Sequence, residues 1–358
     1  MEKPRPIVNQ ALTTNPDNEP GAVQLGFVMF FSRITFMRHI ALLFATLIVV
    51  PCVAQDRAGA KSIQYFGYTN AIELTNGTVR AVVAGQSGGR IIEYSVGGKN
   101  VLYLSDQEKA WKPGEPPQSS AGRFDIGPEL VIPERKVLWS GDWKTEIIAD
   151  RHARLTSPDD ASTGVKLIRD FVLHADSSRL DCTQTIVNIS QQPVEWCHWS
   201  RTFAVGRGIC AIPLSKPSRF PNSYVLYEEG SLINFRPMDD NIRVRDGHIE
   251  ILAAPRKPKL GFDSYAGTIA YFAPNDLLFV KTFKTFPDRV YNEAAGLTIS
   301  VWYPDSNMIE LEPIGPRERL APGESAAFTE TWHVLEHKFP GNQPADLSQL
   351  TDIIRSLP

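Results

Sequence analysis

The sequence lacks any cluster of basic residues: its 37 Lys and Arg residues are slightly outnumbered by 40 Asp and Glu residues. Nucleic-acid binding needs a concentrated cationic surface, so this charge distribution argues against a nucleic-acid partner. Cysteine is also scarce, and only Cys182, Cys197 and Cys210 follow the N-terminal region. Because three is an odd number, they can form at most one disulfide bridge. A Cys182–Cys197 bridge and plain buried thiols are the alternatives.

Signatures of catalysis and cofactor binding are missing or out of context as well. G-x-S-x-G occurs once, as GQSGG over residues 85–89, but a predicted strand follows it, whereas the nucleophile elbow of serine hydrolases leads into a helix. The glycine-rich stretch GQSGGR, over residues 85–90, precedes a predicted strand rather than a helix and fits neither phosphate-binding pattern. HVLEH, over residues 333–337, has the spacing of a zinc-protease motif that works only on a helix, whereas here it continues a predicted strand. The sequence therefore predicts no cofactor and no metal site.

The N-terminal region has the features of a leader. Residues 1–36 show no hydrophobic period, and we interpret them as an extension upstream of a true start at Met37. Residues 37–54 combine a basic end, an apolar run and small terminal residues, which are the three parts of a secretory signal peptide. Cleavage after Ala54 predicts an exported, periplasmic or secreted protein with no stable membrane span in the mature chain. The alternative is an N-terminal anchor that begins near Phe27.

Strand signals dominate the rest of the chain. Short β-rich runs follow one another closely, as in Ala71–Thr75, Thr78–Ala84, Arg90–Val96 and Val101–Leu104, and glycine-containing turn signals separate them. This spacing of strands and turns is typical of an all-β sandwich. We predict a single large β domain over residues 60–340.

One helix and two long irregular segments complete the predicted organisation. Residues 344–357, PADLSQLTDIIRSL, predict a surface helix with Asp346 or Ser348 near its start. Ser105–Pro133 and Pro213–Pro258 are predicted to be long loops. Long ordered loops on a β scaffold often carry function.

Two acids, Glu310 and Glu312, flank one leucine in a predicted strand. Residues two apart on a strand point to the same face, so the two carboxylates lie close together. If they face solvent, they form an ordinary polar strand face. If they line a cleft, their repulsion raises the pKa of at least one of them, and such a carboxyl suits general acid–base catalysis.

A histidine lies among aromatic residues in EWCHWSRTF. His198 is close in sequence to Trp196, Trp199 and Phe203. Aromatic faces beside one polar group suit a sugar ring, whose C–H face is apolar and whose rim carries hydroxyl groups, so Trp199 is a candidate sugar-binding residue. The alternative is a histidine at the edge of the core with its nitrogens satisfied.

Three segments resemble the galactose mutarotase-like superfamily, in the same order along the chain. They are GGRIIEYSVGGKNVLYLS, TIVNISQQPVEWCHWS and MIELEPIGPRERLAPGESAAFTETWHVLE, and the likeness spans roughly residues 70–336. Within this superfamily the chain resembles a bacterial branch more closely than the aldose 1-epimerases proper. The signatures that carry this likeness are G-G-R-I, G-P-E and E-L-E-x-x-G-P. The resemblance implies a large antiparallel two-sheet β-supersandwich with a sugar-binding cleft on one face.

The resemblance also implies roles for individual residues. Enzymes of the superfamily use a Glu to take the anomeric hydroxyl proton and a His to protonate the ring oxygen. On that pattern Glu312 is the candidate base, Glu310 is the runner-up or a binding partner, and His198 is the acid. Arg90 binds a sugar hydroxyl. HWSRTF departs from the H-x-Y-F pattern of the epimerases proper.

The segment KLGFD offers two further candidates for sugar binding, Lys259 and Asp263. The sequence as a whole therefore predicts an exported protein that takes a sugar or oligosaccharide ligand and acts as an aldose mutarotase or epimerase. A non-catalytic carbohydrate-binding β-sandwich is the alternative, and a sandwich without a sugar site is the third. The sequence leaves the sugar and the oligomeric state open.

Overall fold

The computed structural model describes residues 56–116, 118–341 and 343–358. Two large sheets dominate it, and every strand pairing within the described residues is antiparallel. The predicted all-β, two-sheet antiparallel sandwich is confirmed. The predicted extension over residues 1–36 and the signal peptide over residues 37–54 lie outside the described residues. None of the described helices is long and apolar enough to cross a membrane.

The first sheet has twelve strands, and it carries the candidate site. In order across the sheet they are β1 (Ala60–Tyr65), β2 (Tyr68–Thr75), β3 (Val79–Ala84), β4 (Arg90–Val96), β6 (Gly122–Gly127), β11 (Val194–Val205), β21 (Met308–Leu320), β20 (Ile299–Trp302), β17 (Lys259–Phe262), β13 (Val225–Tyr227) and β14 (Ile233–Asn234). The short β5 (Lys99–Asn100) pairs with β4.

The second sheet has ten strands. In order they are β15 (Ile242–Arg245), β16 (His248–Ile251), β12 (Ile209–Pro213), β18 (Thr268–Ala273), β19 (Leu277–Phe283), β22 (Ser325–Glu336), β10 (Leu180–Asn188), β9 (Val165–Leu173), β8 (His152–Thr156) and β7 (Lys144–Ala149). Burial alternates strictly along β9 and β10, with every second side chain directed into the core.

Within the described ranges, three helices accompany the sheets: α1 (Asp106–Lys109), α2 (Lys136–Ser140) and α3 (Leu347–Ser356). The predicted C-terminal helix is confirmed as α3, and its cap is Asp346, whose side chain accepts a hydrogen bond from the backbone N–H of Gln349. Leu347 and Leu350 pack on the second sheet. The sequence did not predict α1 or α2.

Two details of the predicted strands are wrong. Residues 101–104 form only an isolated bridge at Leu102, not a strand. The segment predicted as a loop before Pro133 contains β6, and the loop predicted between Pro213 and Pro258 contains β13 to β16. In β6 the hydrophobic pattern is interrupted by Arg123 and Asp125, which are buried in spite of their charge. Strand prediction from hydrophobic periodicity assumes that charged side chains are exposed, so it does not detect β6.

Polar groups are also buried between the sheets. Lys281 Nζ lies 2.9 Å from Glu330 Oε2, and both side chains are fully buried. The ammonium also donates hydrogen bonds to Thr202 Oγ1 and to the backbone carbonyl of Leu311. The ion pair lies within the second sheet, and the hydrogen bonds of Lys281 to Thr202 and Leu311 connect it to the first sheet. Loss of either charge would leave the other buried without its partner.

The three cysteines of the described region are unpaired and buried. Burial raises the pKa of Cys182, Cys197 and Cys210 above the ordinary thiol value. The sequence left open a Cys182–Cys197 bridge or plain buried thiols, and the structure has the buried thiols.

Candidate functional site

Four residues on neighbouring strands of the first sheet form a row across its outer face, the face away from the second sheet. Phe203 on β11 pairs with Glu310 on β21, which also pairs with Trp302 on β20. Trp302 pairs in turn with Lys259 on β17. Paired residues of antiparallel strands project to the same face, so these side chains are neighbours. Glu310 is thus flanked by two aromatic residues.

A cleft of about 440 Å³ lies over this row. Its aromatic lining residues are Trp139, Phe203, Tyr227 and Trp302, and its charged ones include Glu129, Arg201, Lys259 and Glu310. The volume falls within the usual range for small-molecule sites. Aromatic rings beside charged groups match the apolar face and the hydroxyl-bearing rim of a sugar. This cleft is the candidate site.

The alternation of β21 explains how the two glutamates come to the same side. Ile309 and Leu311 belong to the core between the sheets, so Glu310 and Glu312 project to the outer face. Ile314 continues this outer row and packs with Trp199. The two glutamates therefore share a face, and both are buried.

Glu312 is held by basic and aromatic partners at the base of the site. Lys259 Nζ lies 2.5 Å from its Oε2, while Arg201 Nη1 at 3.3 Å and Trp199 Nε1 at 3.1 Å donate to its Oε1. Burial raises the pKa of Glu312, but Lys259 and Arg201 more than offset this, and its pKa lies below the ordinary value. Glu312 is therefore a fixed anion.

Glu310 has a different environment on the cleft floor. Its Oε1 has no hydrogen-bond partner within the described residues, and Arg201 Nη1 is 4.0 Å from it. Burial, and then the negative charge of Glu312, raise the pKa of Glu310 to about 8. At neutral pH Glu310 is largely protonated and can donate a proton to a bound ligand.

Arg201 links the carboxylates of the site. Its Nε donates to Asp125 Oδ2 at 3.0 Å, and its Nη2 is 3.6 Å from Glu129 Oε1. Its guanidinium lies over the ring of Trp199, 4.7 Å from the ring centroid. Burial lowers the pKa of Arg201, but Asp125, Glu310 and Glu312 more than offset this, so the net change is upward.

Glu129 enters the cleft from the loop after β6. Its side chain is 38% exposed, and its Oε2 lies 3.9 Å from Lys259 Nζ. Its backbone N–H donates to the buried Glu293 at 2.8 Å, and the hydroxyl of Tyr227 donates to the other oxygen of Glu293 at 2.9 Å. Glu293 thus ties the loop that carries Glu129 to a residue of the cleft wall.

His198 lies on the other side of the sheet. Its neighbour Trp199 projects to the outer face, so His198 projects into the core, where its ring lies between Phe124 and Phe328. Its Nε2 is 3.1 Å from the backbone oxygen of Ala326, and burial lowers its pKa to about 4. The structure therefore separates His198 from Glu310 and Glu312, against the expectation that it acts as the acid.

Arg90 is also separate from the cleft. Its guanidinium is fully buried and forms two 2.6 Å contacts with the carboxylate of Glu108. Ser120 donates to the same carboxylate at 2.7 Å. Arg90 is not among the residues that line the cleft. Its contacts are those of an internal ion pair, not of a residue that binds a sugar hydroxyl.

Of the two candidates in KLGFD, only Lys259 reaches the site. Asp263 accepts hydrogen bonds from the hydroxyl of Ser218 at 2.7 Å and from the backbone N–H of Arg219 at 2.6 Å. These contacts fix the loop before β13, and Asp263 is not among the cleft-lining residues. Lys259 therefore remains a cleft residue, and the contacts of Asp263 are those of a structural residue. Trp199, the predicted sugar-binding tryptophan, is fully buried beneath the cleft, where it donates to Glu312, and it is not among the cleft-lining residues.

Among the residues of the site, sequence reasoning missed Asp125, Glu129, Trp139, Arg201, Tyr227 and Trp302. Two signals were present. Arg201 alternates with Trp199 and Phe203 on β11, which places all three on one face once the strand is known. Glu129 is the acid of the G-P-E signature. The folded chain brings this signature next to the E-L-E signature.

Comparison with solved structures shows where a similar architecture occurs. A galactose mutarotase-like protein from Clostridium acetobutylicum aligns over 78% of this chain and 99% of its own, with a TM-score of 0.55 and 11% identity. A galactose mutarotase-like protein from Lactobacillus casei aligns over 74% and 100%, with a TM-score of 0.53 and 11% identity. The Slr1438 protein from Synechocystis aligns over 80% and 99%, with a TM-score of 0.51 and 16% identity.

These identities are low, so the likeness concerns the fold and not the chemistry of the site. No family model and no curated protein sequence matches the chain. The roles of Glu310, Glu312 and their neighbours must therefore be argued from their own contacts.

Proposed function

Because the chain has the galactose mutarotase-like fold, we propose that it binds a sugar in the cleft over Glu310 and interconverts the anomers of that sugar. One observation carries this proposal: the pKa of Glu310 is raised to about 8 while its Oε1 has no partner within the described residues, and it sits between aromatic residues. A protonated carboxyl on the floor of an aromatic cleft suits a ligand with both apolar faces and hydroxyl groups.

The proposed reaction needs one proton donor and one proton acceptor. The acceptor takes the proton of the anomeric hydroxyl, the donor protonates the ring oxygen, and the bond between C1 and the ring oxygen breaks. The resulting open-chain aldehyde rotates about its C1–C2 bond. The hydroxyl then attacks the other face of C1 while both proton transfers reverse, so no net proton is gained or lost. Positioned groups of this kind contribute roughly 10²–10⁴-fold each.

Glu310 is the proposed donor, and Glu129 is the proposed acceptor. Glu129 is partly exposed in the cleft, and its two carboxyl oxygens lie 3.6 Å from Arg201 Nη2 and 3.9 Å from Lys259 Nζ. Glu312, the base expected from the sequence, already accepts from Lys259, Arg201 and Trp199. In this proposal its role is to hold Lys259 and Arg201 in position, and to raise the pKa of Glu310.

A second candidate function is sugar binding without catalysis. It is favoured by the position of His198 in the core, because the family's usual acid is then absent from the cleft-lining residues. Both candidates predict a sugar in the same cleft. They differ in the expected effect of Glu310→Gln. The catalytic function predicts that the variant loses anomer exchange but still binds the sugar, whereas the non-catalytic function predicts no exchange by either protein.

The deciding experiment has two steps. Saturation-transfer NMR with free sugars, applied to the wild-type protein and the Glu310→Gln variant, identifies sugars that bind with their anomeric hydroxyl free, and NMR exchange spectroscopy then measures anomer interconversion for each bound sugar. We expect both proteins to bind and only the wild type to accelerate exchange. Binding without acceleration by either protein would favour the non-catalytic function. No binding by either protein would contradict both candidates.

Export is part of the proposal, and it rests on the residue pattern of the segment from Met37 to Ala54, outside the described residues. The mature N-terminus tests it directly. Mass spectrometry of the protein from its native host should find Gln55 as the first residue. A mature protein that retains Met37 would contradict export by cleavage.

A further inference from the structure

A second hollow adjoins the cleft on the outer face of the first sheet. This side hollow has a volume of about 380 Å³ and is lined by Glu129, Glu134, Arg135, Lys136, Trp139, Ser140 and Arg201. Three of these residues, Glu129, Trp139 and Arg201, line the cleft as well. The two hollows are therefore neighbouring compartments with a shared wall.

The shared wall has an aromatic ring held by cations. Trp139 lies on α2 and is partly buried, and the guanidinium of Arg123 lies 4.2 Å from its ring centroid. Arg123 Nη1 also donates to the backbone oxygen of Trp139 at 2.8 Å. This double contact fixes the tryptophan between the two hollows. A fixed aromatic ring costs little conformational entropy when a ligand binds.

The charges of the side hollow are balanced. Arg135 pairs with Asp125 at 2.5 Å, and Lys136 lies 3.3 Å from Glu134. A site for an anionic group would need basic side chains without acidic partners, so these pairs favour a neutral polar ligand. The rim residues Glu134, Lys136 and Ser140 are exposed, so the far end of the side hollow opens to solvent.

We infer that the ligand is an oligosaccharide of at least two units, with one unit in the cleft and the next in the side hollow against Trp139. This inference rests on the proposed function. Only the reducing-end unit of a sugar chain has a free anomeric hydroxyl, so that unit occupies the cleft over Glu310. The following unit occupies the side hollow, and longer chains extend into solvent past Ser140.

The test compares sugars of increasing length with two variants of α2. The probes are glucose with maltose, cellobiose and lactose, and galactose with β-1,4-galactobiose, so each disaccharide carries the paired monosaccharide at its reducing end. The readout is the ratio of kcat/KM for anomer exchange of the disaccharide to that of the monosaccharide of its reducing end. Ser140→Trp fills the side hollow. Val137→Trp is the matched control, because Val137 is exposed on the same helix and lines neither hollow.

In the wild type we expect at least one ratio of roughly ten or more, which corresponds to about 1.4 kcal/mol of added transition-state binding. Ser140→Trp should reduce this ratio to near one, whereas Val137→Trp should leave it unchanged. Exchange of a monosaccharide with all ratios near one would overturn the inference and leave the proposed function intact. A ratio that survives Ser140→Trp would also overturn it. Absence of exchange with every probe would remove the proposed function and this inference together.

Discussion

Glu310 and Glu312 project from the same face of β21, yet only Glu312 has basic partners within hydrogen-bond distance. Lys259 lies 2.5 Å and Arg201 lies 3.3 Å from Glu312, whereas Arg201 is 4.0 Å from Glu310. The pKa values of the two carboxyls consequently move in opposite directions. Carboxyls whose environments separate their pKa values in this way are suited to different roles.

Replacing Glu310 by glutamine should abolish anomer exchange without unfolding the protein. Glutamine keeps the size of the side chain but cannot donate the proton, so we expect kcat to fall by roughly 10²–10⁴-fold. NMR exchange spectroscopy on a sugar identified by binding measures the loss. Glu336→Gln is the matched control, because Glu336 is an exposed residue of β22 in the second sheet and is not among the cleft-lining residues. Equal activity in the wild type and Glu310→Gln would remove Glu310 from the mechanism.

The rate should also depend on pH through Glu310. The donor must be protonated, and its pKa is raised to about 8, so kcat/KM should fall as the pH rises through that value. A normal glutamic acid would have lost its proton below pH 5 and would give no such decrease. Exchange rates from pH 6 to pH 10, corrected for the uncatalysed reaction, measure the profile. A flat profile over this range would contradict the assignment of Glu310 as donor.

Much of the fold could be predicted because strand periodicity and glycine turns are local signals. Arg90–Val96 was predicted at its observed bounds as β4, and the helix capped by Asp346 was predicted as well. The strand β6 was missed because Arg123 and Asp125 interrupt its apolar pattern. Their burial depends on distant partners, such as Arg201 for Asp125, which no local pattern reveals.

The candidate site was predicted only in part, for a related reason. The shared face of Glu310 and Glu312 follows from strand alternation, and the structure agrees, because Ile309 and Leu311 lie in the core between the sheets. Alternation also places His198 and Trp199 on opposite faces of β11, but the sequence does not tell which of the two faces is directed towards the cleft. That choice depends on the neighbouring sheet, whose Phe328 packs against His198.

Replacing Glu312 by glutamine should destabilise the protein, in contrast to Glu310→Gln. Glu312 is fully buried, and its removal leaves Lys259 and Arg201 without a common acceptor. Loss of one partner from a buried ion pair costs about 3–5 kcal/mol in the free energy of unfolding. Urea denaturation at pH 7 measures the difference, with Glu336→Gln as control. A loss below about 1 kcal/mol would show that the network does not depend on Glu312.

The same variant should shift the pH profile of any remaining exchange activity. The negative charge of Glu312 is the second cause, after burial, of the raised pKa of Glu310. Without that charge, the pKa of Glu310 falls, and the decrease in kcat/KM should begin at a lower pH than in the wild type. An unchanged profile in Glu312→Gln would show that the charge of Glu312 does not affect the pKa of Glu310.

Replacing His198 by phenylalanine should leave anomer exchange intact and increase stability at acid pH. The ring projects into the core between Phe124 and Phe328, so its loss does not reach the cleft. Burial lowers the pKa of His198 to about 4, so the wild type loses stability as the pH falls from about 6.5 towards 4, while the unfolded chain gains a proton there. The variant lacks this loss. The difference in free energy of unfolding between the variant and the wild type should therefore be more favourable to the variant at pH 4 than at pH 7, by about 3 kcal/mol.

Urea denaturation of the wild type and His198→Phe at pH 4, 5, 6 and 7 measures the effect of this residue, because both proteins retain His333, whose pKa burial also lowers to about 4. Parallel stability curves would contradict a buried, neutral His198. A hundredfold loss of exchange activity in a folded His198→Phe protein would instead return His198 to the role of acid. That outcome would require the interior of the sandwich to open to the ligand, since the ring now contacts the second sheet and not the cleft.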